Sequence, residues 1–126
     1  MDVGGNNTTS GALSRGQAAE ALAARHLEQR GLRIVQRNFR IRGGEIDLIC
    51  RDGRTLVFVE VRLRSRQDFG GAGASITAAK RRRIILAARH YLARQPDAEC
   101  RFDCVLLNNL DEKALEWIPN AFTADS

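Results

Sequence analysis

The sequence has no apolar run long enough to cross a lipid bilayer. A membrane-spanning helix needs about 20 consecutive, mostly apolar residues, and charged residues interrupt this chain well before that length. Residues 1–9 also lack the basic and the apolar parts of a secretory signal peptide. These absences predict a cytoplasmic protein with no membrane partner.

Cysteine and histidine are scarce. The three cysteines, at positions 50, 100 and 104, form no Cys-x-x-Cys pair, and the two histidines lie far apart, at positions 26 and 90. A disulfide framework or a structural zinc site needs more ligands at closer spacing. We therefore interpret the cysteines as small apolar residues of strands.

Aromatic residues make up only 6% of the 126 residues. Tyr91 and Trp117 stand apart in the chain, so the sequence gives little support for a surface on which nucleic-acid bases stack. The remaining composition, 44% hydrophobic and 28% charged, is typical of a globular domain. The length fits one domain, which we assign to residues 14–122 after a flexible tail over residues 1–13.

Positive charge is concentrated in the first three quarters of the chain. Residues 1–95 carry 18 Lys and Arg against 8 Asp and Glu, whereas residues 96–126 carry 2 against 7. Such a balance favours a polyanion, such as nucleic acid, as the partner of the basic part. Many basic proteins bind no nucleic acid, so charge alone leaves both readings open.

Apolar periodicity and turn residues predict the order α-β-β-β-α-β-β. Ser14 and Gln17 have the spacing of a capping box that begins a helix, and Gly31 suits its C-terminal end. A second helix follows a Ser75 or Thr77 cap and runs to about Arg94. The predicted strands cover residues 32–40, 45–50, 55–63, 100–107 and 114–118. The fold class is therefore α/β, a mixed sheet flanked by helices.

The second and third strands form a hairpin that brings acids together. With Asp52 and Gly53 as a two-residue turn, Asp47 faces Phe58 and Glu45 faces Glu60. Asp47 and Glu60 are then diagonal neighbours on one face, with Cα atoms roughly 7–8 Å apart. The core is expected on the opposite face, which carries the residues Ile46, Leu48, Cys50, Val57, Val59 and Val61.

Carboxylates at this spacing suggest a metal site. Glu45, Asp47 and Glu60 repel one another unless a cation joins them. Oxygen ligands suit Mg²⁺ or Mn²⁺, which activate water and polarise phosphodiesters. The alternative is a solvated strand face whose acids pair with nearby arginines.

Several other charged residues have two possible roles. Arg62, two residues after Glu60, either neutralises a phosphate or forms a cross-strand ion pair. Glu20 either reaches the same site from the first helix or is a half-exposed surface acid. The run Lys80, Arg81, Arg82 and Arg83 either grips successive phosphates or only solubilises the second helix. Arg101 and Asp103 form a structural ion pair or support the site, and we favour the structural role.

The combined motifs resemble the YraN family of uncharacterised bacterial proteins. They are Gly43-Gly44-Glu45-Ile46-Asp47-Leu48-Ile49, Val57-Phe58-Val59-Glu60-Val61-Arg62, Gln36-Arg37-Asn38-Phe39-Arg40, residues 16–20, the start of the second helix and Arg101-Phe102-Asp103. The resemblance covers roughly residues 14–122 and extends to the restriction-endonuclease-like superfamily, with archaeal Holliday junction resolvases nearest in pattern.

The resemblance implies a Mg²⁺-dependent (or Mn²⁺-dependent) nuclease that acts on DNA, on branched or structured substrates, as a homodimer. Asp47, Glu60 and the backbone carbonyl of Val61 would be metal ligands, with Glu20 and Glu45 assisting. Arg62 stands where the superfamily pattern has Lys, and arginine does not readily shed a proton. Lys80 or a water would then substitute for that Lys. The alternative is a nucleic-acid-binding module that keeps the fold without catalysis.

Overall fold

The computed structural model describes residues 13–64 and 76–124. The predicted tail, apart from residue 13, and the predicted loop over residues 66–73 lie outside the described residues. The described elements are α1 (Arg15–Gln29), β1 (Arg33–Ile41), β2 (Gly44–Asp52), β3 (Thr55–Leu63), α2 (Ala78–Leu92), β4 (Cys100–Leu107) and β5 (Leu115–Phe122). The predicted α-β-β-β-α-β-β order and α/β class are confirmed.

The five strands form one mixed sheet in the order β1-β2-β3-β4-β5. Neighbouring strands are antiparallel except β3 and β4, which are parallel and are connected through α2. A parallel pair requires such a crossover, because a tight turn can join only antiparallel strands. Neither helix in the described part of the chain has the length and apolar character needed to span a membrane.

The structure confirms the predicted residues at the ends of the helices. Ser14 and Gln17 form the capping box, each side chain bonding the other residue's backbone N–H, at 3.1 and 3.0 Å. Gly31 follows α1 with φ 96°, a left-handed conformation that glycine adopts without strain. Thr77 caps α2 through a 3.1 Å bond that its hydroxyl accepts from the Lys80 N–H.

Both faces of the sheet are buried, which corrects the prediction of a core on one face only. Residues of α1 pack with Leu48, Cys50, Val57 and Val59 on one face. Residues of α2 pack with Ile46, Ile49, Leu56 and Phe58 on the other. Ile46 therefore lies on the face opposite to the one predicted.

The hairpin register also differs from the prediction. The turn residues are Gly53 and Arg54, with Gly53 at φ 61°, and Asp52 pairs with Thr55. This shifts the pairing by two residues relative to an Asp52-Gly53 turn. Because side chains alternate with a period of two, the shift keeps each side chain on its face and changes only its partner.

The end of the chain contains more strand than the sequence pattern indicates. β5 continues to Phe122, four residues beyond the predicted limit, after a short 3₁₀ turn at Glu112–Ala114. All three cysteines are free and lie in strands, but Cys100 is exposed at the start of β4 whereas the other two are buried.

Asp103 links β4 to β5 and has the predicted structural role. Its fully buried carboxylate accepts bonds from the side chains of Arg101 at 3.1 Å and Trp117 at 3.0 Å, and from the Asn120 N–H at 3.0 Å. A buried carboxylate needs such donors to offset its loss of water. Asn120 has φ 52°, so the last contact uses a left-handed backbone conformation that asparagine tolerates.

Helix α2 approaches the start of β2 closely at Gly44. A Cβ atom on Gly44 would lie 2.6 Å from the backbone oxygen of Arg83 and 3.2 Å from the Cβ of Ala87. The N-terminal half of α2 can therefore pack this close to the sheet only because residue 44 has no side chain.

We expect Gly44→Ala to lower the free energy of unfolding by about 1–3 kcal/mol, because helix backbone must move to admit the methyl group. Urea denaturation measures the change. Gly16→Ala is the matched control, since the nearest neighbour of its added Cβ would be the Ser14 hydroxyl at 4.0 Å, and alanine favours a helix. Equal stability of the Gly44→Ala and wild-type proteins would contradict the close approach.

Candidate functional site

A cleft of about 130 Å³, the acidic cleft, opens between the first turns of α1 and α2, where β2 and β3 separate. It brings together residues from four elements: Gly16, Ala19, Glu20, Glu45, Asp47, Glu60, Val61, Leu63, Lys80, Arg83 and Ile84. All four acids predicted for the site are therefore in one place. Arg62, Arg81 and Arg82 do not line the cleft.

Asp47 lies where strand β2 changes face. Ile46 packs on the α2 side of the sheet and Leu48 on the α1 side, so the regular alternation is interrupted between them. On the neighbouring strand, Asn38 has φ 52°, which also breaks the extended conformation. Both irregularities are local, and together they free the Asp47 side chain to turn toward β3.

The Asp47 carboxylate accepts a backbone hydrogen bond just beyond the end of the β2–β3 pairing. The β2–β3 pairing ends at Leu48 and Val59, and one further step in that register sets Asp47 opposite Glu60. There Oδ2 of Asp47 accepts the Val61 N–H at 2.8 Å. The diagonal arrangement predicted from the sequence is thus wrong, because the register is shifted by two residues.

Burial and a neighbouring acid change the proton affinity of Asp47. Loss of water around the carboxyl, followed by repulsion from Glu60, raises its pKa from 3.8 to about 8. A hydrogen bond between the two carboxyl groups also favours the protonated form, and the Val61 N–H opposes it. Without a bound cation, the pKa of Asp47 therefore lies well above that of an exposed aspartate.

Glu60 is the most buried acid of the cleft, with 5% of its surface exposed. Its Oε2 receives a 2.7 Å hydrogen bond from the ammonium group of Lys80 on α2. The Thr77 cap fixes the first turn of α2, and so fixes where the Lys80 side chain begins. Glu60 therefore has a positively charged partner that lies 20 residues later in the sequence.

Glu45 and Glu20 lie at the rim. Glu45 forms ion pairs with Arg83 at 3.5 Å and Arg40 at 3.6 Å, and its side chain is partly exposed. Burial raises the pKa of Glu20, while a hydrogen bond with Asn38 and the charge of Arg40 oppose that rise. Asn38 was not predicted as a site residue, although asparagine is among the residues that adopt positive φ most readily.

The four cations at the start of α2 have separate surroundings. Lys80 and Arg83 reach the acids of the cleft. Arg81 donates a 2.9 Å hydrogen bond to the backbone carbonyl of Ile76, and Arg82 is exposed. Arg62 is half-buried outside the cleft, and its Nε has no hydrogen-bond partner among the described residues.

The donor set suits a hard divalent cation held by few protein ligands. Within residues 13–64 and 76–124, no three His, Cys, Asp or Glu side chains are spaced to enclose a metal ion. Asp47 and Glu60 nevertheless line the same cleft, and the Asp47 carboxylate bonds the backbone of Val61 there. Mg²⁺ is commonly bound by one or two carboxylates and retains several waters.

Comparison with known proteins identifies one family. The model of an uncharacterised protein family, UPF0102, matches residues 19–107. A UPF0102 protein of Dechloromonas aromatica is 69% identical over 125 residues, 99% of each chain. Relatives from Methylobacillus flagellatus (55% identical, 86% of this chain and 96% of theirs) and Nitrosomonas europaea (54%, 90% and 97%) are also named UPF0102 proteins. None of these three names states an activity.

The raised pKa of Asp47 predicts a pH-dependent stability. In the absence of divalent metal, the unfolded chain loses this proton near pH 3.8 and the folded chain near pH 8. Folding takes up a proton between these values, so the free energy of unfolding should fall as pH rises from about 4 to 8, by up to about 1.4 kcal/mol per pH unit. Urea denaturation in EDTA at several pH values measures this slope.

Asp47→Asn should remove this contribution, because the amide carries no titratable proton yet still accepts the Val61 N–H. Asp97→Asn, which changes an exposed acid outside the cleft, should retain the wild-type slope. Parallel curves for the wild-type and Asp47→Asn proteins would show that Asp47 is not protonated in the folded state.

Proposed function

The chain belongs to the UPF0102 family, the YraN family that its motifs resemble, and we propose that it is a metal-dependent nuclease. Its reaction is hydrolysis of a phosphodiester bond in DNA, with branched or structured DNA as the substrate. We place this activity in the cytoplasm.

One observation carries the proposal: the carboxyl groups of Asp47 and Glu60 lie together in a cleft beside a lysine. A folded protein rarely buries two adjacent carboxyl groups, because their repulsion and desolvation both oppose folding. Here the arrangement uses the change of face at Asp47, the end of the β2–β3 pairing and the Lys80 contact. A cation-binding function accounts for retaining it, since a divalent ion would offset the repulsion between the two carboxylates.

Each group in the cleft has a role in hydrolysis. Asp47, Glu60 and the Val61 carbonyl would hold Mg²⁺ or Mn²⁺, which supplies polarisation of the phosphodiester and activation of water. Lys80, whose ammonium group lies at Glu60, would face the phosphate and stabilise its developing charge. Arg83 and Glu45, paired at the rim, would orient the strand and the attacking water.

The superfamily pattern that this sequence resembles has a lysine where this chain has Arg62. Lys80 takes the role of that lysine. It comes from α2 rather than from β3, and its ammonium group reaches the same acid, Glu60, at 2.7 Å. Arg62 lies outside the cleft, so its inability to shed a proton has no direct bearing on the reacting atoms. Its charge instead contributes to attraction of the polyanion.

The nucleic-acid partner follows from the charge around the cleft. Arg83 of α2 lines the cleft, Arg40 of β1 pairs with Glu45 at its rim, and Arg82 is exposed on the first turns of α2. Phosphate contacts of this kind should make binding strongly dependent on salt. A branched substrate offers two equivalent bonds, so we further propose that the chain acts as a homodimer.

A second candidate is a nucleic-acid-binding module without catalysis. The observation that favours it is that both acids already have partners: Asp47 accepts the Val61 N–H, and the ammonium group of Lys80 contacts Glu60. In that case the cleft contributes to stability only, and the surrounding arginines carry the function.

Cleavage assays distinguish the two candidates. Labelled four-way-junction, flap, single-stranded and linear duplex DNA are incubated with the protein in Mg²⁺, Mn²⁺ or EDTA. We expect cleavage in either metal and none in EDTA, with a loss of at least about a hundredfold in Asp47→Asn and Glu60→Gln, because each removes a ligand charge. Asp97→Asn should cleave at the wild-type rate. Binding without cleavage in any metal would favour the non-catalytic module.

Lys80→Ala should separate metal binding from turnover. Removing a cation that competes for Glu60 should tighten Mn²⁺ binding about fivefold, equivalent to about 1 kcal/mol, while cleavage slows. Electron paramagnetic resonance of free Mn²⁺ gives the dissociation constant. Arg82→Ala removes the same charge from an exposed position and should affect Mn²⁺ binding little. Unchanged cleavage by Lys80→Ala would exclude it from the reaction.

A further inference from the structure

A second cavity, of about 380 Å³, lies between the outer strand β1 and the C-terminal end of α2. Its lining residues are Gln36 and Phe39 from β1, His90 and Tyr91 from the last turn of α2, and Arg94 and Gln95 just beyond it. None of them belongs to the acidic cleft. Its volume is within the range of small-molecule sites, about 300–1,000 Å³.

We propose that this cavity, the base cavity, binds an unpaired nucleobase of the strand whose phosphate occupies the acidic cleft. The proposal rests on the proposed function for its partner, nucleic acid. It adds that the substrate has an unpaired segment beside the bond that is cut.

Three rings provide a surface for a planar group. The Phe39 ring contacts Tyr91 edge to face, with centroids 5.3 Å apart, and tilts by 38° against His90 at 6.3 Å. Tyr91 also packs against the buried Phe58, so the far side of the surface is held by the core. Stacking on such fixed rings is how proteins hold single-stranded bases without requiring one sequence.

The polar groups of the base cavity suit a nucleotide better than a cation. No carboxylate lines it, whereas Arg94 and His90 are exposed and form no ion pair or hydrogen bond through their side chains with other described residues. The Gln95 side-chain oxygen accepts a 3.0 Å bond from Arg51, which orients the amide. Arginine can pair with a phosphate, and an oriented amide can donate to a base edge.

Helix α2 connects the base cavity to the acidic cleft. Arg83 at the cleft and His90 at the cavity are seven residues apart, so they share one face of the helix about 10 Å apart along its axis. Leu86, 46% exposed, lies between them. A strand crossing this face would place one phosphate at the cleft and a base, a few nucleotides away, in the cavity.

The single tyrosine of the chain allows a direct test. The full-length protein, labelled with 3-fluorotyrosine, gives one ¹⁹F resonance, from Tyr91. It is titrated in EDTA with an eight-nucleotide oligothymidylate, with an abasic octamer of the same backbone and with an eight-base-pair duplex. Trp117, the single tryptophan, packs on the α1 side of the sheet and serves as a control when labelled with 5-fluorotryptophan.

We expect oligothymidylate to shift the Tyr91 resonance and leave that of Trp117 in place. Fluorescence anisotropy should show it binding about tenfold more tightly than the abasic octamer, because only the former has a base to stack. The duplex should bind without shifting Tyr91. An unshifted Tyr91 resonance at saturation, equal affinity for the two octamers, or no binding of oligothymidylate would each overturn the proposal.

Exposed residues provide variants that leave the core intact. The double variant His90→Ala, Arg94→Ala should reduce the preference for oligothymidylate over the abasic octamer to less than about threefold. Arg89→Ala removes an exposed arginine of the same helix that does not line the cavity, and should keep the preference. A preference that is unchanged in the double variant would also overturn the proposal.

The outcome is separable from that of the proposed function, because binding is measured without metal. Metal-dependent cleavage with an unshifted Tyr91 resonance would reject the base cavity and retain the nuclease. A base-dependent shift without cleavage in any metal would retain the base cavity and favour the non-catalytic module.

Discussion

Two carboxyl groups that would repel each other, those of Asp47 and Glu60, are the constraint around which this structure is arranged. Their burial opposes ionisation, and the structure offsets this with one backbone N–H at Asp47 and one ammonium group at Glu60. Each of these partners depends on a separate element. The N–H is available because β2 and β3 part after Leu48 and Val59, and the ammonium group is available because α2 lies close to the sheet.

The close approach of α2 connects fold and site. Gly44 has no side chain to keep the helix backbone away, and the Thr77 cap fixes the start of the helix. Lys80 and Arg83 therefore reach the acids from the α2 side of the sheet. The same helix ends at the aromatic cavity beside β1. A rigid helix held by packing at its middle and a cap at its start can therefore set the distance between two sites. This geometry is the basis for proposing that one strand of nucleic acid contacts both.

Much of the architecture was predictable from local patterns, since caps, turns and apolar periodicity depend on residues close in sequence. The Ser14–Gln17 box, the Gly31 terminus and the order of helices and strands along the chain all follow from such patterns. The hairpin register was not predictable from the Asp52 and Gly53 pair, because a turn one residue later preserves the facial pattern equally well. The two-sided core was missed because Ile46 and Leu48 look equivalent until the strand changes face between them.

The sequence by itself determined which acids stand on neighbouring strands and that a basic helix follows them, because these depend on order along the chain. Tertiary structure alone decided that Lys80 contacts Glu60, that Arg62 lies outside the cleft and that Phe39 meets Tyr91. The physical reason is distance along the chain. Contacts between elements depend on how close a helix packs to a sheet and on a pairing register, and no local propensity encodes either quantity.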